Sequence, residues 1–580
     1  MNVKQIILRR IKIVSGFLIV IALLIIGKVL YIQHAQGRYW RNVGDSLNLK
    51  YMIFEAQRGT IYSEDGKVLS TTYKLFDIRM DFGADGMRTN NGRAFKSGID
   101  SLSIQLADLF QDKSAAGYKQ FLMDGYKNKD RYALLQRKIT IEEYEKLRTF
   151  ALIREGRLVS GLVVEVSNYR LNPFGLLAKR TIGLDRENAQ KVGLERTYDS
   201  VLTGENGTGL MMIDRDGNKI PYKADDYVKV KNGHNLITTL DIFIQKVTED
   251  ALLKRMQEAN AYAGCAIIME TATGKIKAIA NLSKQTDSTY MEDFNYAIFM
   301  HFPGELFLVV DLMALLEDKQ VKREASGLGR SRSAGGSATS TFASFKAAFE
   351  YGGGAIAIAA QNYYMSRKEE FMKHVRWLKL DSLTNIDLVG ESIPEIPIIV
   401  SRDSQRAQAE EIMYRGGVKI SPLGILTLYN AIANNGKIMK PYLVNAIKDE
   451  NTVVKTFSPT VVNDSICSAG TLKMLQECLK GVCSNGTAKL FFGNTPYKVA
   501  GKTASANYYE FPEAPYGKRF QCSFAGYFPA ENPQYTCIVV IKSVTGEPAN
   551  NLATAVFREI TDALYRVSGS GKGKPDYDFR

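Results

Sequence analysis

The clearest pattern in the chain lies at its start. From Ile13 to Gly27 the residues are uncharged and almost wholly apolar; Lys28 interrupts them, and Val29-Leu30-Tyr31-Ile32 resume the run. Twenty helical residues span about 30 Å, the thickness of a hydrocarbon layer. Lys28 lies near the far end, where its stem reaches the interface. The pattern therefore predicts a membrane anchor over residues 13–33 behind a basic tail, 1–12, that carries Lys4, Arg9, Arg10 and Lys12. Basic flanks stay on the cytoplasmic side, which places the bulk of the chain on the periplasmic or extracellular side of the inner or plasma membrane. No small-x-small cleavage site follows, and bulky Tyr31 and Ile32 flank the run, so the anchor is expected to be retained.

Beyond it, residues 37–225 hold short strand signals around turns such as Ser63-Glu64-Asp65-Gly66-Lys67, with a charged helical stretch near Ile139–Arg154. A Gly-rich passage from Thr203 to Gly209 and a polar, charged run to Asn235 mark a boundary. From Leu236 strands and helices mix. Cys265–Met269 and Gly274–Ile279 predict a hairpin, and Glu305–Asp318 a helix apolar nearly all round, which must be buried. A second domain over 236–566 and a flexible Gly/Ser/Lys/Pro tail over 567–580 complete an α+β multidomain chain.

Composition narrows the classes. At 45% apolar and 23% charged the chain has ordinary globular usage, which argues against disorder. A net charge of +14 suits an anionic neighbour, yet no basic cluster interleaves with aromatics, so no nucleic acid is expected. The six cysteines are too few for a disulfide framework in so long a chain; Cys265 is expected in the core, and Cys478 and Cys483, although close, on a helix end. His34, His234, His301 and His374 form no ligand-spaced cluster, so neither metal nor cofactor is expected.

A series of motifs gives a sharper reading. Arg58-Gly59-Thr60-Ile61-Tyr62 with Asp65-Gly66-Lys67 opens it, followed by Tyr169-Arg170 through Ile182-Gly183, then Gly193-Leu194-Glu195-Arg196 with Tyr198. Thr239-Leu240-Asp241 leads to Ser421-Pro422-Leu423, Asn430 to Gly436, Gly486-Thr487-Ala488, Ala500-Gly501-Lys502-Thr503 and Ser523 to Pro529. In this order they resemble the class B penicillin-binding proteins, the division-type transpeptidases in particular. The resemblance implies one transmembrane helix, an elongated α+β pedestal or dimerisation domain, and a penicillin-binding transpeptidase domain, an antiparallel sheet flanked by helices as in serine β-lactamases. It implies peptidoglycan stem peptides as substrate, a membrane glycosyltransferase and division-complex proteins as partners, and room for a homodimer. The family reaction is D,D-transpeptidation through an acyl-serine, with a lysine one turn later as base.

The catalytic positions depart from that pattern. No Ser-x-x-Lys tetrad occurs anywhere; Glu305 stands at the nucleophile position and Leu308 at the base position, in Phe302-Pro303-Gly304-Glu305-Leu306-Phe307-Leu308. Glu305 is expected in a helix first turn, favoured there by the dipole, with Leu308 filling the space of a lysine stem. Gly352 and Gly354 occupy the Ser-x-Asn positions within three successive glycines, which loosen the segment if it is helical. Lys502 and Thr503 survive from Lys-Thr-Gly, while Ala504 adds a methyl that is expected to crowd the substrate groove. Ser331, Ser333, Ser337, Ser340 and Ser344 lie in a Ser/Gly/Ala-rich loop and offer no substitute tetrad. Three functions remain: a catalytically inactive scaffold in cell-wall synthesis, a transpeptidase with an unrecognised nucleophile, and a reversible binder of stem peptides or β-lactams.

Overall fold

The computed structural model of the chain describes residues 3–40, 49–183, 190–213, 219–221, 228–321, 342–396, 417–508, 519–543 and 551–570. The Ser-rich loop lies almost wholly outside the described residues, as does most of the C-terminal tail.

Two compact units result, one of residues 1–58 with 203–233 and one of 59–202 with 234–580. The first holds the helix Val3–His34, whose apolar side chains, Phe17 and Leu24 among them, are uncovered along its length. A helix this long and apolar with no protein over it fits a membrane anchor. A small antiparallel sheet belongs to the same unit. Leu49–Phe54 pairs with Gly207–Ile213, Tyr51 opposite Leu210, and Lys219–Pro221 adds the third strand.

The second unit is built on two sheets. The larger core lies around six antiparallel strands in the order Tyr290–Met291, Ile276–Lys284, Ala263–Glu270, Tyr535–Ser543, Arg519–Phe528, Ala500–Tyr508. The hairpin expected from the sequence is there, with Ile267 opposite Ile279. The central strands are buried on both faces, and they read as continuous apolar runs rather than alternating ones. Helices Ile242–Glu258 and Leu552–Ser570 pack on each other and on the sheet. Pro422–Ala433, buried at every position except Thr427, is pinned to it as Asn430 donates to the Thr271 carbonyl and accepts from Thr536. The core also contains Cys265, and Cys478 and Cys483 are free, buried thiols in the helix Ala469–Ser484.

The other sheet is mixed. Its order is Thr452–Thr456, Val444–Asp449, Asn235–Thr238, Ile61–Tyr62, Val68–Met80, Ala133–Ile139, and Leu162–Leu171 also pairs with Val68–Met80. Ile61–Tyr62 runs parallel to Asn235–Thr238, so segments from three remote parts of the chain share one ladder. Side chains reinforce it: the buried Glu195 accepts from Arg170 at 2.7 Å and from Ser70, and Asp387 accepts from Tyr198 and from the backbone of Leu443 and Val444. A separate core, including Ile78, Phe82, Phe95, Leu102 and Leu122, lies under helices Asp85–Phe110 and Ala115–Asn128.

One expectation needs correction here. The charged stretch near Ile139–Arg154 forms only a short helix, Ile141–Leu147, closed by a reciprocal cap between Thr140 and Glu143, and then a 3-10 turn at Ile153–Glu155. The helix ends at Leu147, and Leu152, at φ +67°, leads into the 3-10 turn with Leu152 and Ile153 both in the core.

Two buried acids join the segment around residue 180 to the larger core. Glu292 accepts from the Arg180 and Asn281 N–H groups at 2.8 and 2.7 Å. Glu249 uses only Oε1, which accepts from Ala178 N and Gln245 Nε2. Burial pushes both carboxyls up, Glu249 to about 7, and the charge of Glu249 adds to the rise at Glu292. Both oxygens of Glu292 already meet N–H donors, so the proton belongs on Glu249. Raised carboxyl pKa values contribute stability that is complete below about 4.5 and lost as pH climbs through about 7. Glu249→Gln mimics the protonated form. Its unfolding midpoint should exceed the wild type's by a few degrees at pH 8 and match it at pH 4.5; an offset that is the same at both pH values would refute the shared proton.

Candidate functional site

Of the expected site residues, Glu305, Gly352, Lys502, Thr503 and Ala504 line one cleft of about 420 Å³ together with Tyr351, Thr487, Ser505 and Asn551, whereas Leu308 and Gly354 do not line it. One wall is the strand Ala500–Tyr508, at the edge of the sheet because no strand pairs beyond it among the described residues. Opposite it stand the turn after Glu350 and the short 3-10 turn Gly304–Phe307.

That turn revises the expected helix. The α-helix runs Leu308–Glu317, and Glu305 belongs to the 3-10 turn that precedes it. Gly304 makes this path possible: it sits at φ +56°, and a Cβ there would stand 2.9 Å from the Ser505 carbonyl. Glu305 is consequently held by the neighbouring strand rather than by a helix dipole. Its Oε2 accepts from the Ser505 N–H at 2.6 Å, a charge-assisted bond.

Leu308 is 1% exposed and packs against the glycine turn, where a Cβ on Gly353 would lie 2.3 Å from Leu308 Cδ1. Gly352 and Gly353 adopt φ +138° and +95°, and only Gly354 begins the helix Gly354–Tyr364. The three glycines are therefore not a loosened helix. Two take up a turn that ordinary residues resist, and the bare Cα of Gly353 makes room for the leucine. Ala504 also departs from expectation. It is 5% exposed, with its methyl facing the Gly304 turn at 3.6 Å from the position of a Cβ there, so it fills the floor more than it crowds the groove.

Lys502 is the charged centre of the site. It is 1% exposed, donates from Nζ to the Thr503 carbonyl at 3.0 Å, and lies 5.5 Å over the Phe349 ring. Burial lowers its pKa to about 8, against the opposing pull of Glu305. The Thr503 and Thr487 hydroxyls bond each other at 2.7 Å. Neither has a carboxylate or basic nitrogen as a hydrogen-bond partner among the described residues, so neither is set up as an activated nucleophile. The cleft can bind an anion; among the described residues that line it, no hydroxyl has a base beside it.

Sequence reasoning missed Tyr351, Ser505 and Asn551. Tyr351 donates to the Asn485 carbonyl at 3.0 Å across the rim. Ser505 acts through its backbone N–H, for which a sequence carries no side-chain signal. Thr487 was visible only as part of a Gly-Thr-Ala landmark.

Comparison with known proteins places this fold and its cleft in one class, the penicillin-binding transpeptidases. The penicillin binding protein transpeptidase domain family matches residues 264–562, and the penicillin-binding protein dimerisation domain matches 53–238. The chain belongs to the penicillin-binding protein transpeptidase family. It is 24% identical to stage V sporulation protein D of Bacillus subtilis, over 93% of this chain and 82% of that one. It is 23% identical to peptidoglycan D,D-transpeptidase FtsI of Buchnera aphidicola, over 97% and 95%. Among solved structures, penicillin binding protein 2X from Streptococcus thermophilus shares the fold with a TM-score of 0.63 at 20% identity, over 91% and 83% of the two chains.

Glu305 supports the protonated form of Lys502, so neutralising it should lower that pKa further. In Glu305→Gln the Lys502 resonance, followed by NMR of lysine labelled at Cε, should titrate below the wild-type value of about 8. An unchanged or higher midpoint would show that the two groups do not interact.

Proposed function

We propose that this chain is a single-pass class B penicillin-binding protein of peptidoglycan synthesis, working in cell division as a scaffold that does not acylate. The observation that carries the reading is Glu305. Its carboxylate occupies the nucleophile position and takes the Ser505 N–H, a donor on the edge strand that faces the place where an acyl oxygen would develop charge. A carboxylate attacking an amide would give an anhydride open to water, and Leu308 provides no base for an incoming amine. In a comparable serine enzyme, loss of the nucleophile alone costs about 10⁶ in turnover. The relatives named FtsI and stage V sporulation protein D support the division setting. The anchor helix and the intact dimerisation domain support a role in holding partners, a membrane glycosyltransferase among them, with the basic N-terminus in the cytoplasm. Lys502 supports a second reading, reversible capture of a stem-peptide or β-lactam carboxylate, since a buried cation lines an open cleft.

Intact-mass spectrometry of the full chain after incubation with excess penicillin is expected to show no covalent adduct. A gain equal to one opened β-lactam would overturn the non-acylating reading, and saturable binding without mass gain would select reversible capture. The double variant Glu305→Ser with Leu308→Lys is expected to remain inactive in a cross-linking assay, because Gly352 and Gly354 supply neither the hydroxyl nor the amide of the second motif. Robust cross-linking by that variant would show the second motif to be dispensable.

A further inference from the structure

A second recess, of about 290 Å³, shares no lining residue with the Glu305 cleft. It opens between the short helices Lys179–Ile182 and Gly193–Thr197 on one side and the segments 294–299 and 388–392 on the other. The Ser392 N–H donates to the Ile298 carbonyl at 3.0 Å and fixes the two latter segments to each other.

Its chemistry is uncommitted. Arg180 and Arg196 line it, and neither guanidinium has an ion-pair or hydrogen-bond partner among the described residues. The acids beside them are engaged elsewhere, Glu195 by Arg170 and Glu292 by two backbone N–H groups. Asn295 carries a buried side-chain oxygen with no donor. Phe294, Phe299 and Val389 stand 37%, 42% and 49% exposed at the same opening, the two rings packed edge to face at 5.1 Å. Two guanidiniums without a partner among the described residues, an acceptor that no donor meets there and an aromatic shelf, gathered in one recess, match one kind of ligand.

We propose that this recess docks an acidic segment of a partner protein in which carboxylates flank a leucine or phenylalanine. The carboxylates meet Arg180 and Arg196 as bidentate pairs, the apolar side chain rests on Phe294 and Phe299, and a peptide N–H satisfies Asn295 Oδ1. An inorganic anion would leave the shelf and the amide unused. An alanine-rich wall stem peptide brings carboxylates but no large apolar side chain. The inference stands apart from the reading of the Glu305 cleft, because it uses none of that cleft's residues.

The test uses the full chain in detergent and a fluorescein-labelled octapeptide with glutamates on both sides of a leucine-phenylalanine pair, read by anisotropy. Saturable binding that weakens with salt is expected. Arg180→Ala with Arg196→Ala should weaken it by about tenfold or more, as the loss of charge-assisted hydrogen bonds implies. Val389→Glu, at an exposed position, should do the same by repulsion, and Lys502→Ala should leave it unchanged. Circular dichroism melts of each variant confirm that the fold persists. The proposal fails if a glutamine-substituted peptide binds equally well, if the arginine pair is dispensable in a folded protein, or if phosphate or an alanine-rich stem pentapeptide competes at equal concentration.

Discussion

The helix Leu308–Glu317 has no solvent-facing side, and the site follows from that confinement. Nine of its ten residues are buried, packed among the helices Gly354–Tyr364, Lys368–Trp377 and Ala469–Ser484. A polar group at its start must therefore find partners or be replaced by something apolar. A lysine at position 308 would need a hydroxyl and an amide opposite it; the glycines there offer neither. Leu308 and Gly353 form instead a complementary pair, bulk on one side and its absence on the other. The substitutions thus read as a repacked junction, because each of the two residues explains the other.

The same confinement governs the remaining charge. Lys502 is as buried as the core aliphatics, and with the family's polar groups gone its nearby countercharge is Glu305. Glu305 in turn is held by a backbone donor of the strand that carries Lys502, two residues before Ala504 and three before Ser505. The turn, the edge strand and the cation are one electrostatic unit. Together they line the cleft beside the edge strand.

Much of the fold was legible in the sequence, and the reason lies in its ordered landmarks. The anchor, the hairpin at 263–284 and the buried helix after Pro303 all announced themselves through hydropathy. The sequence also singled out Glu305, Gly352, Lys502, Thr503 and Ala504, which share one cleft. What escaped were features with no side-chain signature: the positive φ of Gly304 that moves Glu305 out of the helix, the Ser505 N–H that receives it, and the turn of Leu152. The recess at Arg180 and Arg196 escaped for a different reason. Its lining comes from three stretches up to 200 residues apart, and their meeting is a property of the topology, not of any local pattern.

The mixed sheet has a consequence for how the chain matures. Its ladder joins residues 61–62, 235–238 and 444–449, so the pairing of Asn235–Thr238 with Val444–Asp449 cannot close until about three-quarters of the polypeptide has been made. Contacts between segments so distant in sequence form slowly, and strand edges stay open to wrong pairing while they wait. Completion of the sheet is in this way set by register: Asn235–Thr238 keeps one edge open until residues 444–449 arrive.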